Sequence, residues 1–181
     1  MSFALEYGRE SKGGSQGMRA IGRRLVLLLL LLQAACGTAR LPGPGEDGVG
    51  WSCVPYARAR SGIALRGDAW RWWDAAAGRY ERSHVPRPGS VLVLRRSARL
   101  RHGHVAVVSR VLSAREIRVD HANWDSGGGK GRVARDQPVM DVSPGNDWSL
   151  VRIWYPRVHD YGISRWPAFG FIHPSGRMAA P

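Results

Sequence analysis

Four residues of the types that act together in thiol-dependent catalysis lie in the middle of the chain: Cys53, His104, His121 and Asn123. A thiol attacks an amide carbonyl only as the thiolate, and a free cysteine has a pKa of about 8.5. A neighbouring imidazole can take the thiol proton and later protonate the leaving amine, while a third polar group holds that imidazole in the useful tautomer. These residue types indicate amide cleavage by Cys53 with His104 as base and His121 or Asn123 as the orienting group.

The local sequence places Cys53 at the start of a helix. Pro55 is tolerated in a first helical turn, where its missing N–H costs no hydrogen bond, so a helix is predicted from Cys53 to about Arg60. The partial positive charge and free N–H groups of a helix N-terminus favour a thiolate, and we expect the same N–H groups to stabilise an oxyanion. A second helix is predicted from Asp68 to about Ala77, before Gly78.

Strand patterns follow the helices. The predicted strands are 90–94, 104–109, 115–123, 139–142 and 150–155. Consecutive strands with short connections form an antiparallel sheet, so the predicted class is α+β, with the N-terminal helices packed on a central antiparallel sheet. In an antiparallel hairpin the start of one strand lies beside the end of the next, so His104 and either His121 or Asn123 can be neighbours.

Other interpretations of these residues exist. A buried cysteine is often only a small apolar side chain, and a histidine at a strand start often lies on the surface. Cys53, His102, His104 and His121 are also of the types that bind zinc, but a His-Gly-His spacing is a poor zinc signature and no carboxylate completes the set. We expect no metal and no cofactor.

The N-terminal region has the pattern of an export signal. A charged segment from Met18 to Arg24 precedes an apolar run, Leu25 to Leu32, and the small residues of QAACG follow. QAACG resembles a bacterial lipoprotein cleavage box with Cys36 as the lipidated residue, although Gln33 stands where an apolar residue is usual. Ordinary cleavage and a retained anchor are the alternatives, and the apolar run is shorter than the roughly 20 residues that span a bilayer.

The position of the export signal also suggests how the rest of the chain is divided. Residues 1–17 are polar and glycine-rich, and we interpret them as sequence upstream of a true start at Met18. A Cys36–Cys53 disulfide is not expected, because it would join the domain only to a flexible linker. The predicted divisions are an N-terminal extension and export segment at 1–36, a Gly/Pro-rich linker at 37–50, a catalytic domain at 51–158 and a tail at 159–181 that packs on the domain.

The formal net charge of +13 comes almost entirely from arginine, because Lys12 and Lys130 are the two lysines. The arginines are scattered from Arg58 to Arg177 without a long block, which disfavours nucleic acid, since proteins that bind it cluster their charge. An anionic cell envelope fits this charge better. A bias towards arginine codons with a solvated basic surface is the alternative. We expect no nucleic-acid partner and a monomer.

Five sequence blocks together resemble one family. In chain order they are Ser52–Arg58 (SCVPYAR), Gly67–Trp70 (GDAW), Pro88–Leu94 (PGSVLVL), Gly103–Val108 (GHVAVV) and His121–Trp124 (HANW). The set, over roughly 51–155, is similar to the CHAP family, the cysteine, histidine-dependent amidohydrolases and peptidases. The resemblance implies a papain-like fold of the NlpC type, with Cys53 as nucleophile and His104 as base.

The resemblance leaves the third catalytic residue open. Many family members carry Glu two residues before the Asn of the last block, where this chain has His121. Related NlpC-type enzymes use His as the third residue, so the resemblance favours a Cys53–His104–His121 triad. Asn123 is then a second orienting group or the third residue itself.

The resemblance implies an amidase or endopeptidase that cleaves peptidoglycan, at the muramoyl–alanine link or within stem peptides or cross-bridges. The export signal predicts that this enzyme is exported. We expect it in the periplasm or cell envelope, tethered through Cys36 or the apolar segment. A non-catalytic wall-binding lipoprotein and a thiol amidase for another amide are the alternatives. The tail, which contains Trp166 and Phe169, is expected to pack along a substrate groove, with the glycine-rich loop Asp125–Gly131 as its rim.

Overall fold

The computed structural model describes residues 50–124, 130–155 and 158–175. The predicted export signal, Cys36, all but the last residue of the linker and most of the loop at 125–131 lie outside these residues, so the predictions about them stay predictions. In the described part of the chain, no helix combines the length and the apolar character that crossing a membrane requires.

The described chain contains two short helices and seven strands. Helix α1 is Cys53–Ser61, and helix α2 is Trp72–Ala75, which follows a 3-10 turn at Ala69–Arg71. The strands are β1 (Glu81–Ser83), β2 (Val91–Leu94), β3 (His104–Val111), β4 (Glu116–Ala122), β5 (Val133–Asp141), β6 (Leu150–Ile153) and β7 (Trp166–His173). The predicted helices and strands are all present, although β5 begins before its predicted start, and β1 and β7 are additional.

The sheet closes on itself, so the predicted α+β class is wrong. The strand order is β1-β7-β2-β3-β4-β5-β6, all pairs are antiparallel, and β6 also pairs with β7. Strands β2 to β7 therefore form a closed six-stranded barrel, with β1 paired to the far end of β7. The architecture is mostly β with two short helices, instead of a papain-like arrangement of helices on a central sheet.

Strand β7 accounts for this difference. Pro167 and Gly170 disfavour a central strand in a sequence pattern, which is why the segment reads as a tail. In the fold β7 pairs with β2 on one side and with β6 on the other. Gly170 has a φ of 127°, and a Cβ at this position would lie 2.6 Å from the carbonyl oxygen of Ser83. Glycine is thus required where β1 and β7 approach each other.

Side chains alternate between the two faces of the barrel wall. The interior cluster includes Leu92 and Leu94 of β2, while Val91 and Val93 belong to a cluster on the outer face. Helix α1 covers the outer face, since its fully buried Ala57 is part of that second cluster. Each large apolar side chain buried in this way contributes about 1.5–3 kcal/mol of transfer free energy. The packing holds α1 against the strands that carry the histidines.

Candidate active site

Cys53 is the first residue of α1, as predicted. Ser52 before it has extended backbone, and the helix ends at Gly62, whose φ of 74° is left-handed. Pro55 lies in the first turn, where it needs no hydrogen-bond partner. Cys53 as a whole is partly exposed.

Burial changes the expected acidity of this thiol. Desolvation raises the pKa of Cys53 above its ordinary value, and this effect outweighs the N–H groups of Val105, Val54 and Cys53 itself, which lower the pKa. The N–H groups at the start of the helix therefore favour the thiolate, as predicted, but desolvation opposes them more strongly. The thiol is protonated at neutral pH, so attack requires a base that removes its proton.

His104 begins β3 at a position that Gly103 makes possible. Gly103 has a φ of 66°, and a Cβ there would lie 2.7 Å from the backbone nitrogen of Trp70, so only glycine fits. The His104 side chain is buried. Burial, followed by repulsion from His121, lowers the pKa of His104 well below its ordinary value. The ring is neutral at pH 7 and able to accept a proton.

His121 contacts His104 directly, across the hairpin of β3 and β4. The distance from His104 Nε2 to His121 Nδ1 is 3.1 Å, and both rings are buried. The ring planes are nearly perpendicular, at 81°. The prediction that antiparallel topology makes these two residues neighbours is confirmed by this contact.

Asn123 reaches the same region but contacts a different part of the protein. A register shift in β4 between Val119 and His121 breaks the predicted alternation, and Asn123 leaves the strand with a left-handed φ of 59°. Its Oδ1 accepts a hydrogen bond from Gly131 N at 2.8 Å, and Gly131 O accepts one from Trp51 N at 3.0 Å. Asn123 therefore links the end of β4 to the segment that precedes Cys53.

Cys53, His104 and Asn123 line one cavity of about 440 Å³. No hydrogen bond between described residues joins Cys53 to His104, and catalytic contacts are often longer before substrate binds. The cavity wall also contains residues that sequence reasoning did not single out, among them Arg99, Leu100 and Arg101. Their position in the loop between β2 and β3, directly before His104, is the signal that could have identified them.

The zinc alternative is not supported by the placement of its residues. His102 is exposed, and its Nδ1 lies 3.1 Å from Asp68 Oδ1. Within the described ranges, no group of three or more His, Cys, Asp or Glu side chains is arranged to hold a metal ion. The buried pair of histidines therefore stands as a contact between two imidazoles.

The family comparison agrees with this set of residues. The family model described as CHAP domain matches residues 44–123. Residues 44–123 therefore match a CHAP domain. The resemblance stated from the sequence blocks is confirmed, and the matched span holds Cys53, His104, His121 and Asn123. A CHAP domain indicates a hydrolase. None of the curated proteins compared with the chain is significantly similar to it.

One tautomer of the histidine pair suits a CHAP hydrolase. When His104 Nε2–H donates to His121 Nδ1, His104 Nδ1 keeps its lone pair for a thiol proton. His121 then carries its own proton on Nε2, which is buried and has no hydrogen-bond partner. An unpaired buried group of this kind costs about 1–3 kcal/mol. The reversed hydrogen bond would protonate His104 Nδ1 and remove the base.

Trp124 shields the histidine pair of the CHAP domain. Its ring centroid lies 4.7 Å from that of His104 and 5.7 Å from that of His121, on which it stacks at 28°. Trp166 of β7 packs edge-on against Trp124, with centroids 5.3 Å apart. The predicted tail thus supplies an aromatic ring, Trp166, that packs on Trp124, which in turn contacts both histidines.

Acid should destabilise the CHAP domain through His121. Burial lowers the pKa of His121 from 6.5 to about 4. Between these two pH values the unfolded chain binds a proton at His121 that the folded chain does not. The contribution of neutral His121 to the free energy of unfolding is therefore complete above pH 6.5 and is lost as the pH falls towards 4. We expect His121 to account for about 3 kcal/mol of the free energy of unfolding lost between pH 7 and pH 4.

Urea denaturation at a series of pH values measures this contribution. His121→Asn is the matched control, because asparagine has no group that titrates in this range and we expect its stability to fall less with acid. Equal slopes of stability against pH for the two proteins would contradict the prediction.

Proposed function

We propose that this CHAP domain is a cysteine amidase or endopeptidase that cleaves amide bonds in peptidoglycan. The main support for this proposal is that Cys53, at the start of α1, lines the same cavity as His104. The Nε2 atom of His104 is 3.1 Å from Nδ1 of His121. A nucleophile, a neutral base and an orienting group are the parts that thiol-dependent amide cleavage needs. The strongly basic chain suits an anionic polymer that carries carboxylates.

The proposed reaction begins with proton transfer. His104 Nδ1 takes the thiol proton as Cys53 Sγ attacks the amide carbon, and negative charge develops on the carbonyl oxygen. We expect the N–H groups of Cys53 and Val54, which favour negative charge on the Cys53 sulfur, to stabilise this oxyanion as well. His121 Nδ1 accepts the hydrogen bond from His104 Nε2–H while the His104 ring carries the extra proton.

The leaving amine then takes the proton from His104 Nδ1, and the C–N bond breaks to give a thioester on Cys53. A water molecule, deprotonated by the same nitrogen, attacks the thioester carbon and releases a carboxylic acid and the thiol. The raised pKa of Cys53 and the lowered pKa of His104 favour a neutral pair before attack. His104 therefore acts as a general base during the attack itself.

The proposal places the activity in the periplasm or cell envelope. Its support is the sequence pattern of residues 18–37, in which a charged segment and an apolar run precede Cys36. Attachment to a membrane would be through a lipid on Cys36 or through the apolar run.

Digestion of purified sacculi followed by mass spectrometry tests this function and identifies the bond. An amidase releases peptides with a new N-terminal alanine and leaves glycan with a free lactyl carboxylate, whereas an endopeptidase leaves shortened stems on the sugar. Cys53→Ala is the matched control. Intact sacculi after treatment with the unmodified protein would overturn the peptidoglycan assignment, and equal product from both proteins would overturn the thiol mechanism.

A further inference from the structure

The loop between β2 and β3 carries two arginines to the cavity that contains Cys53. Arg99 and Arg101 both line this cavity. The loop backbone is fixed by hydrogen bonds, from Ser97 N to Leu100 O and from Leu100 N to Ser97 O, each 3.1 Å long. Leu100 also packs against the interior cluster of the barrel. The two arginines therefore extend from an anchored segment.

Arg99 and Arg101 differ from five arginines elsewhere in the domain that have acidic partners. Ion pairs with acidic residues engage Arg60, Arg87, Arg110, Arg115 and Arg118. Within the described ranges, neither Arg99 nor Arg101 has a carboxylate within 4.0 Å, and Arg99 donates to Ser164 Oγ at 3.4 Å. Both side chains are exposed, so their guanidinium groups remain available to a ligand.

The neighbouring arginines of the loop are already occupied. The guanidinium carbon of Arg95 lies 4.1 Å from the ring centroid of Phe169, and that of Arg96 lies 5.0 Å from Trp70. Cation–aromatic contacts of this kind hold the side chain in place. Arg99 and Arg101 are the members of the loop that have neither an acidic partner nor such a ring among the described residues.

The cavity wall adds little negative charge. Its acidic side chain among the described residues is Asp68, which lies 3.1 Å from His102 Nδ1. The two arginines thus share the cavity that contains Cys53 with one carboxylate, which is already engaged by His102. A guanidinium binds a carboxylate through two parallel N–H···O bonds, which fix orientation as well as attract charge.

We propose that Arg99 and Arg101 bind a free peptide carboxylate of the substrate, close to the amide that Cys53 attacks. The preferred substrate is therefore an acidic peptide whose carboxylate is not amidated. This inference rests on the proposed amide hydrolysis at the same site. Arg99 also lines an adjoining cavity of about 260 Å³ with Trp124, Tyr155 and Trp166, so a chain that extends from one cavity into the other passes its guanidinium group.

A matched pair of peptides tests the proposal. The two muropeptides are identical except that one has free carboxylates and the other has carboxamides. We expect the unmodified protein to prefer the free acid, and Arg99→Gln and Arg101→Gln each to raise KM for the acid by about 3- to 10-fold with kcat nearly unchanged. The KM for the carboxamide should not change in either variant.

Arg79→Gln is the control for loss of charge, because Arg79 is exposed and outside both cavities. An equal KM effect in Arg79→Gln, or hydrolysis of acid and carboxamide with equal kcat/KM by the unmodified protein, would overturn the carboxylate site and leave the proposed function standing. Binding of the two peptides to Cys53→Ala, measured by calorimetry, tests the site without turnover. Equal affinities there would also overturn it, whereas absence of any hydrolysis would overturn the proposed function.

Discussion

Replacement of Cys53 by alanine is expected to lower kcat for amide hydrolysis by about 10⁵-fold or more. The thiol supplies the atom that forms the covalent intermediate, and loss of a nucleophile removes nearly all of the catalysis that depends on its partners. Release of new amine from a muropeptide, followed over hours, measures the effect. Residual hydrolysis within 10³-fold of the unmodified protein would contradict a Cys53 nucleophile.

Cys53→Ser separates chemistry from packing. Serine keeps nearly the same shape, but its hydroxyl is far less acidic than a thiol, and the lowered pKa of His104 makes that ring a weak base. We therefore expect Cys53→Ser to be almost as inactive as Cys53→Ala. Both variants should unfold within about 1 kcal/mol of the unmodified protein, as measured by circular dichroism, because Cys53 is only partly buried.

Replacement of His121 by alanine is expected to lower kcat by about 10²- to 10⁴-fold. In the tautomer that suits the proposed reaction, His121 Nδ1 accepts the hydrogen bond from His104 Nε2–H, which leaves the lone pair on His104 Nδ1 for the thiol proton. Loss of a group that fixes the tautomer of a catalytic histidine has effects of up to about 10⁴-fold. Pre-steady-state release of the amine measures this step before thioester hydrolysis limits the rate.

Two further variants distinguish this role from a structural one. In His121→Asn the amide oxygen can occupy the place of Nδ1, so we expect kcat to recover to within about 10-fold of the unmodified protein. His121→Asp would put a carboxylate beside His104 and raise the pKa of that imidazole, which moves the acid limb of the kcat/KM profile to higher pH. An unshifted profile in His121→Asp would show that residue 121 does not act through His104.

Local sequence patterns were sufficient to predict the parts of the site that depend on residues close together in the chain. Pro55 set the start of α1 at Cys53, and antiparallel pairing brought His104 next to His121. The different positions of His121 and Asn123 depend on a register shift in β4 and on a left-handed residue, neither of which has a hydrophobic pattern. The acidity of Cys53 depended on desolvation, which arises only when the whole site is assembled.

The prediction of the fold class was wrong for a different reason. Helices and strands were recognisable individually, but closure of the sheet depends on β7, which contains Pro167 and Gly170 and pairs with strands from both earlier parts of the chain. Such long-range pairing leaves no periodic signal in the segment itself. Sequence patterns therefore predicted the elements that carry Cys53 and His104 but not the barrel that they form.

Closure of the barrel by its last strand also bears on the order of folding. Arg95 Nε, next to β2, donates to the carbonyl oxygen of Ala168 in β7, 73 residues later. Contacts between residues so far apart in sequence form slowly, because closing the long loop between them costs entropy before the contact stabilises the chain. The four candidate catalytic residues are all in the matched span 44–123, yet the wall that holds the histidines is complete only when β7 is in place. A nascent chain thus contains its candidate catalytic residues well before the candidate site is complete.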